Sequence, residues 1–386
     1  MKKNKKPEVV HMVTSANSVG LMKGQLSYLI KSGFNVTVIT SPGSSLYEAK
    51  TKEKINVKAI EMERTISPLK DFIALIKIII YFLRVRPDIC NSGTPKAGLL
   101  GMIAAWISRV PVKVYTVRGL PLEGASGFKK KILTLTERIA CFCADKVICI
   151  SPSIEKKIID LKISTNDKTI VFGAGSSNGL QIEDYRLTKE TEIEIKEIQK
   201  KNNLNRYDFI IGYVGRINNF KGVEELVDVF ENLQKQYKKI ALLLVGKKEE
   251  KDSISDEINE KIINNPHIIE IGRVDNPVPY YYIMDILAFP THREGFGNVS
   301  IEAQATGTPV ITTNATGAID TVVDGVTGYI IDVGDTQALQ KAILKLMKNP
   351  NLIETLGENG KKRVEKEFDS RIIWNGLEKL YRSELK

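Results

Sequence analysis

Residues 286–313 read ILAFPTHREGFGNVSIEAQATGTPVITT, and their order decides the fold. The first five are a short apolar run of the kind that fills a buried strand. A loop with two glycines, Gly295 and Gly297, follows, where the backbone can approach a ligand closely. Helical periodicity then runs from about Asn298 to Thr306, and Gly307 and Pro309 stop it. Residues 309–313 are strand-like again. Strand, helix and strand in so short a stretch form a βαβ unit, whose right-handed crossover implies a parallel sheet.

The same alternation extends in both directions. Strands are predicted at 209–214, 240–245, 268–271 and 328–331, and earlier at 9–14, 35–40, 88–90, 112–117 and 147–151. An amphipathic helix over 22–32, ended by Gly33, links the first two of the chain. At 386 residues the chain is too long for one ordinary core. The reading is an α/β protein of two Rossmann-like, doubly wound domains facing across a cleft. Their expected bounds are 1–186 and 208–369, with a charged helix and linker at 187–207. An amphipathic helix within 370–386 is expected to cross back to the first domain. Ligands of such sheets bind at the carboxyl ends of the strands.

Charge is unevenly placed. Residues 1–186 hold 29 Lys+Arg against 15 Asp+Glu, whereas the whole chain carries +10. The first domain thus calls for an anionic partner, or is simply a lysine-rich solvated surface. No nucleic-acid motif accompanies the charge, so nucleic acid is not expected as a partner. The four cysteines, Cys90, Cys141, Cys143 and Cys149, form no CxxC pair and read as buried free thiols of a reducing compartment. The basic start MKKNKK runs into a strand with no cleavable apolar region, which argues against a secretory signal. The most apolar stretch, 72–83, is too short to span a bilayer and is broken by Lys77. A cytoplasmic protein on the inner membrane face is the expectation.

Two clusters carry the chemistry. The helix that begins near Asn298 offers free N–H groups to a diphosphate. Glu294 lies in its approach loop and Glu302 about one turn in, where it could also serve only as a favourable charge on the helix dipole. Directly after the strand at 209–214 comes Gly215-Arg216-Ile217-Asn218-Asn219-Phe220-Lys221-Gly222. It brings a guanidinium and an ammonium to the mouth of the same sheet, the usual complement of phosphate oxygens. Alone, such cations are usually solvated.

Gly-Arg-x4-Lys-Gly followed by Glu-x7-Glu resembles the signature of family 4 of the retaining glycosyltransferases, which have the GT-B fold. Gly246, Gly272-Arg273-Val274, Met284-Asp285-Ile286, Gly307-Thr308-Pro309-Val310 and Asp324-Gly325 agree with it. The resemblance implies a nucleotide-sugar donor, most naturally UDP-linked. Arg216, Lys221 and Glu294 would be catalytic. Gly215, Arg273, Gly295, Phe296, Gly297, Asn298 and Glu302 would bind the donor, Glu302 through the ribose hydroxyls and Glu294 through the transferred sugar. Electrostatic stabilisation of the leaving diphosphate contributes most to such catalysis. With two cations and a helix terminus to provide it, no metal and no cofactor is expected. Of the three histidines, His11 and His267 read as packing or surface residues and His292 as either.

The first domain resembles a narrower group, the CapM-type enzymes of bacterial capsule and surface-polysaccharide synthesis. The shared text is Ser15-Ala16-Asn17-Ser18, Thr94-Pro95-Lys96-Ala97-Gly98, Arg118-Gly119-Leu120, Glu137-Arg138 and the run from Gly173 to Gly179. That likeness implies a lipid-linked saccharide acceptor, contacted by Ser18, Gly20 and Arg118. Many family 4 enzymes have histidine where Gly93 and Arg118 stand. Arg118 therefore reads as an anion-binding group, with a structural ion pair as the bland alternative. Residues 72–83, with Lys129, Lys130 and Lys131, read either as docking on an anionic membrane surface or as a helix covered on both sides. Other readings are a GT-B nucleotide-sugar epimerase, an inactive scaffold, and a basic nucleic-acid- or membrane-binding protein without catalysis. A nicotinamide dehydrogenase fails for want of GxGxxG.

Overall fold

The computed structural model describes residues 6–386 apart from positions 64 and 251. The basic start at 1–5 lies outside the described residues. The chain divides into two compact units, Met1–Gly179 with Ser370–Lys386, and Leu180–Asp369. The division thus falls at Gly179, earlier than the expected 186, and the charged segment at 187–207 is part of the second unit. The helix there packs Ile195 and Ile198 onto the second core.

The first unit is a seven-stranded sheet. Its strands are β1 (Glu8–Met12), β2 (Asn35–Thr40), β3 (Asn56–Ala59), β4 (Ile89–Gly93), β5 (Val112–Val117), β6 (Lys146–Cys149) and β7 (Thr169–Ile170). They lie in the order β3-β2-β1-β4-β5-β6-β7, and every pair is parallel. Helices α1 (Gln25–Lys31), α2 (Ser44–Glu53), α3 (Pro68–Val85), α4 (Pro95–Ile107), α5 (Gly127–Cys143) and α6 (Pro152–Asp160) connect them. The second unit opens with α7 (Lys189–Lys201). Its sheet holds β8 (Phe209–Val214), β9 (Ile240–Val245), β10 (Ile268–Gly272), β11 (Ile286–Phe289), β12 (Val310–Thr313) and β13 (Gly328–Ile331) in the order β10-β9-β8-β11-β12-β13. Its other helices are α8 (Val223–Gln236), α9 (Asp256–Asn264), α10 (Val278–Ile283), α11 (Asn298–Thr306), α12 (Thr336–Met347) and α13 (Pro350–Glu367). Helix α14 (Ser370–Glu384) returns to the first unit and buries Leu377, Leu380 and Tyr381 in its core.

Both sheets reverse their winding once, at β1/β4 and at β8/β11, the place where doubly wound sheets take ligands. Strands β8, β9 and β11 are buried at every position, which explains their unbroken apolar text. The expected helix over 22–32 is α1, shorter at its start. Residues Ala16–Met22 form a 3-10 turn, and α1 starts only after Gly24, whose φ of +79° breaks the path. Strands β3 and β7 were not expected. Three of the four β3 residues are exposed and β7 has two residues, so neither leaves an apolar pattern in the sequence.

Candidate active site

Loops after β8 and β11 carry most of the predicted donor residues, and the backbone ties the two together. His292 N–H donates to the Phe220 carbonyl at 2.9 Å, and the buried Thr291 hydroxyl bonds the same oxygen at 3.3 Å. Gly222 has φ +69°, and a Cβ there would sit 1.9 Å from the Pro290 carbonyl oxygen. Gly215 and Gly246 likewise meet backbone to backbone at the ends of β8 and β9. A Cβ on Gly246 would lie 1.7 Å from the Gly215 oxygen. Side chains at Gly222 and Gly246 would push the loops apart.

Lys221 ends a 3-10 turn started by the Asn218 side chain, is buried, and pairs with Glu294. Its ammonium also stands 5.6 Å from the Phe289 ring centre. Arg216 is mostly exposed. Its Nη1 donates to both carboxylate oxygens of Glu249, at 2.9 and 3.0 Å, and Asn218 adds a third bond to Glu249 at 2.8 Å. Burial would raise the Glu249 carboxyl, but the bonds from Asn218 and Arg216 outweigh it and hold Glu249 below the usual range. Arg293 stacks on Phe220, 3.7 Å from the ring centre, and His292 pairs with Glu225 at 2.6 Å.

Gly297, at φ +78°, caps the N-terminus of α11, and Gly307, at φ +92°, closes it. Near that N-terminus the Asn298 Oδ1 and Ser300 Oγ atoms are buried and have no hydrogen-bond partner. Such atoms cost stability unless something else satisfies them. Glu302 lies in the second turn of α11, so it is not the first-turn dipole acid of the bland reading. It accepts from Tyr281 at 2.8 Å and also from Tyr185. Burial raises its carboxyl despite those two bonds.

Two predicted donor residues stand apart. Phe296 is 3% exposed and packs edge-on against Phe368, so its ring belongs to the core. Arg273 is exposed at the end of β10, the edge strand of the sheet. Sequence reading missed Glu249, Asn218, Ser300, Tyr281 and Tyr185. Asn218 and Ser300 lie inside the quoted stretches but are not among their glycines and charges, and Glu249, Tyr281 and Tyr185 are recognisable only through their partners. It also missed Gly317, where a Cβ would lie 2.4 Å from the Gly295 oxygen.

In the first unit Arg118 follows β5. Its Nη1 bonds Ser177 and its Nε is buried without a partner. It lines a small hollow with Gln25, Asn91, Thr116 and Ser176. Burial lowers its guanidinium to about 10, still a cation at neutral pH. No carboxylate pairs with it among the described residues, contrary to the bland ion-pair reading. His11 is buried and, by desolvation and then by the Arg118 charge, is pushed down to about 3. The neutral ring shares a hydrogen bond with Tyr381 at 3.3 Å, and Asn91 donates to Tyr381 at 2.8 Å. Ser18 bonds Ser15 at 2.9 Å and Gly20 is exposed in the same 3-10 turn. Neither lines the Arg118 hollow. All four cysteines are buried and free.

Comparison with known proteins places this geometry. Residues 194–363 match the family model "Glycosyl transferases group 1", and residues 10–151 match "Glycosyl transferase 4-like". A capsular polysaccharide biosynthesis glycosyltransferase of Staphylococcus aureus, CapM, is 44% identical over 99% of this chain and 98% of its own. Among solved structures, HepE of Anabaena in complex with UDP superposes with a TM-score of 0.80 at 19% identity, covering 98% of this chain and all of that one. HepE has also been solved with UDP-glucose. A glycosyltransferase of Rickettsia africae gives 0.83 at 20% identity over 99% of this chain and 100% of its own. The two Rossmann-like units are thus those of the GT-B fold, and the chain belongs to the group 1, family 4-like glycosyltransferases.

Proposed function

We propose that the chain transfers an N-acetylated hexose, with retention, from a UDP-sugar to a saccharide carried on a polyprenyl diphosphate, in the synthesis of a capsular or other surface polysaccharide. The observation that carries the reading is the set formed by Lys221 paired with Glu294, Arg216, and the N-terminus of α11 with its unpartnered Asn298 and Ser300. The bond from the anomeric carbon to the diphosphate breaks, one to the acceptor hydroxyl oxygen forms on the same face, and the hydroxyl proton passes to the departing diphosphate. The electron pair leaves with the diphosphate, where two cations and the helix N–H groups stabilise it without a metal. Glu294 holds hydroxyls of the sugar, and Glu302 holds the ribose. UDP in HepE and the capsular role of CapM support the donor and the pathway. Arg118, cationic and short of a partner, suits the acceptor diphosphate.

The test is a panel of nucleotide sugars offered to purified protein with a lipid extract, read as release of nucleoside diphosphate. UDP release that depends on the extract, with an α-linked product from an α-linked donor, is expected. Release from a GDP-sugar alone, or inversion at the anomeric carbon, overturns the reading.

A further inference from the structure

In the loops after β8 and β11 every basic side chain is bonded to a carboxylate, with one exception. Arg216 pairs with Glu249, Lys221 with Glu294, and His292 with Glu225. Arg293, the neighbour of Glu294 in the chain, has no carboxylate partner among the described residues. Its guanidinium lies instead over the ring of Phe220, 3.7 Å from the centre. At that distance the flat group rests on the π face of the ring.

Stacking fixes the position of a guanidinium without using its hydrogen bonds. Among the described residues no protein acceptor takes any side-chain N–H of Arg293, and none of these donors is buried without a partner. The edge of the group is therefore open to solvent. The platform beneath it is itself held. The Phe220 carbonyl accepts from the His292 N–H and the Thr291 hydroxyl, and the Phe220 N–H donates to the Asn218 side chain at 3.1 Å. Lys221 is the next residue. A planar cation fixed in place with its donors unused is prepared for an oxyanion. Arg216 is less so, because Glu249 already takes its Nη1.

We propose that Arg293 is a third cation of the transfer site, held flat on Phe220 so that its N–H edge takes phosphate oxygens of a substrate. The inference rests on the sugar-transfer reading, in which donor and acceptor each carry a diphosphate. The test measures UDP affinity by calorimetry and the amount of lipid extract that half-saturates UDP release. It compares the full chain with Arg293→Ala, Arg293→Lys and Phe220→Leu. Arg293 is only half-buried, so the variants are expected to fold, which thermal melts check. If the donor phosphates are the ligand, Arg293→Ala should weaken UDP binding at least ~10-fold. If those of the acceptor are, it should raise the half-saturating extract as much and leave UDP binding unchanged. Lysine keeps the charge without the planar fork and should restore only part of the loss. Phe220→Leu should cost ~2–5-fold, and nothing further once Arg293 is Ala. Wild-type values for Arg293→Ala in both measurements overturn the proposal. So does a Phe220→Leu loss that is as large in the Arg293→Ala background. Lys221→Ala, run alongside, separates the two possible failures. Unaffected transfer there defeats the sugar-transfer reading, whereas its loss with Arg293→Ala unaffected defeats this proposal alone.

Discussion

Arg216 and Glu249 hold each other at 2.9 and 3.0 Å at the mouth of the second sheet. In the proposed function a donor diphosphate needs that guanidinium and is repelled by that carboxylate. Glu249, held below the usual carboxylate range, is charged at neutral pH and so competes with the donor. An exposed pair of this kind is worth up to about 1 kcal/mol. Glu249→Gln should therefore lower the donor KM by ~2–5-fold. Arg216→Ala should cost at least ~10-fold in kcat/KM, the loss of one charge-assisted bond. A raised KM in Glu249→Gln would instead make Glu249 the group that positions Arg216.

Lys221 differs from Arg216 because it is buried. Lys221→Ala removes the cation proposed to face the leaving diphosphate and also leaves the Glu294 carboxylate without its partner. Transfer should be lost at saturating donor, and the unfolding free energy should fall by about 1–3 kcal/mol. Chemical denaturation separates the two effects. The double variant Lys221→Ala with Glu294→Ala should recover part of the stability and none of the turnover.

The sequence made the sheets legible wherever strands are buried on both faces, as in β8, β9 and β12, because such strands read as continuous apolar runs. It missed β3, whose residues are mostly exposed, and the break at Gly24, where a single positive φ splits an otherwise helical pattern. In the site, glycines and cations stood out because their spacing is local. Glu249, Tyr185 and Tyr281 did not, since each acts through a partner 21 to 117 positions away. Phe296 shows the converse. It sits inside the motif, yet its ring belongs to the core.

The ribose contact proposed for Glu302 would couple donor binding to pH. Burial raises its carboxyl above the ordinary value, and only the charged form accepts freely from hydroxyls. UDP affinity should therefore weaken as pH falls through the acid range, beginning at a higher pH than an ordinary carboxylate would give. Glu302→Gln should flatten that profile and bind UDP at least ~10-fold less well. Isothermal titration across this range reads both. An unchanged profile in Glu302→Gln would remove the carboxylate from the ribose.

Metal dependence separates two ways of stabilising the leaving diphosphate. With Lys221, Arg216 and the α11 N-terminus assigned to it, transfer should continue in excess EDTA at close to the untreated rate. Loss of turnover in EDTA that Mg²⁺ or Mn²⁺ restores would reassign that role to a cation.

Glu137 on α5 is 4% exposed and accepts a hydrogen bond from the Tyr115 hydroxyl at 2.7 Å. Burial pushes its carboxyl up to about 7 from an ordinary 4.5, with the Tyr115 bond opposing. The folded state therefore binds a proton more tightly than the unfolded chain. Its contribution is fully present below about 4.5 and is lost as pH rises through about 7. A shift of that size corresponds to about 3 kcal/mol, at ~1.4 kcal/mol per pH unit. Glu137→Gln keeps an acceptor for Tyr115 and cannot ionise. It should match the wild type near pH 5 and exceed it at pH 8, with a higher Tm. Thermal melts at the two values decide it, because a variant less stable at pH 8 would mean the buried carboxylate is stabilised by something other than its proton.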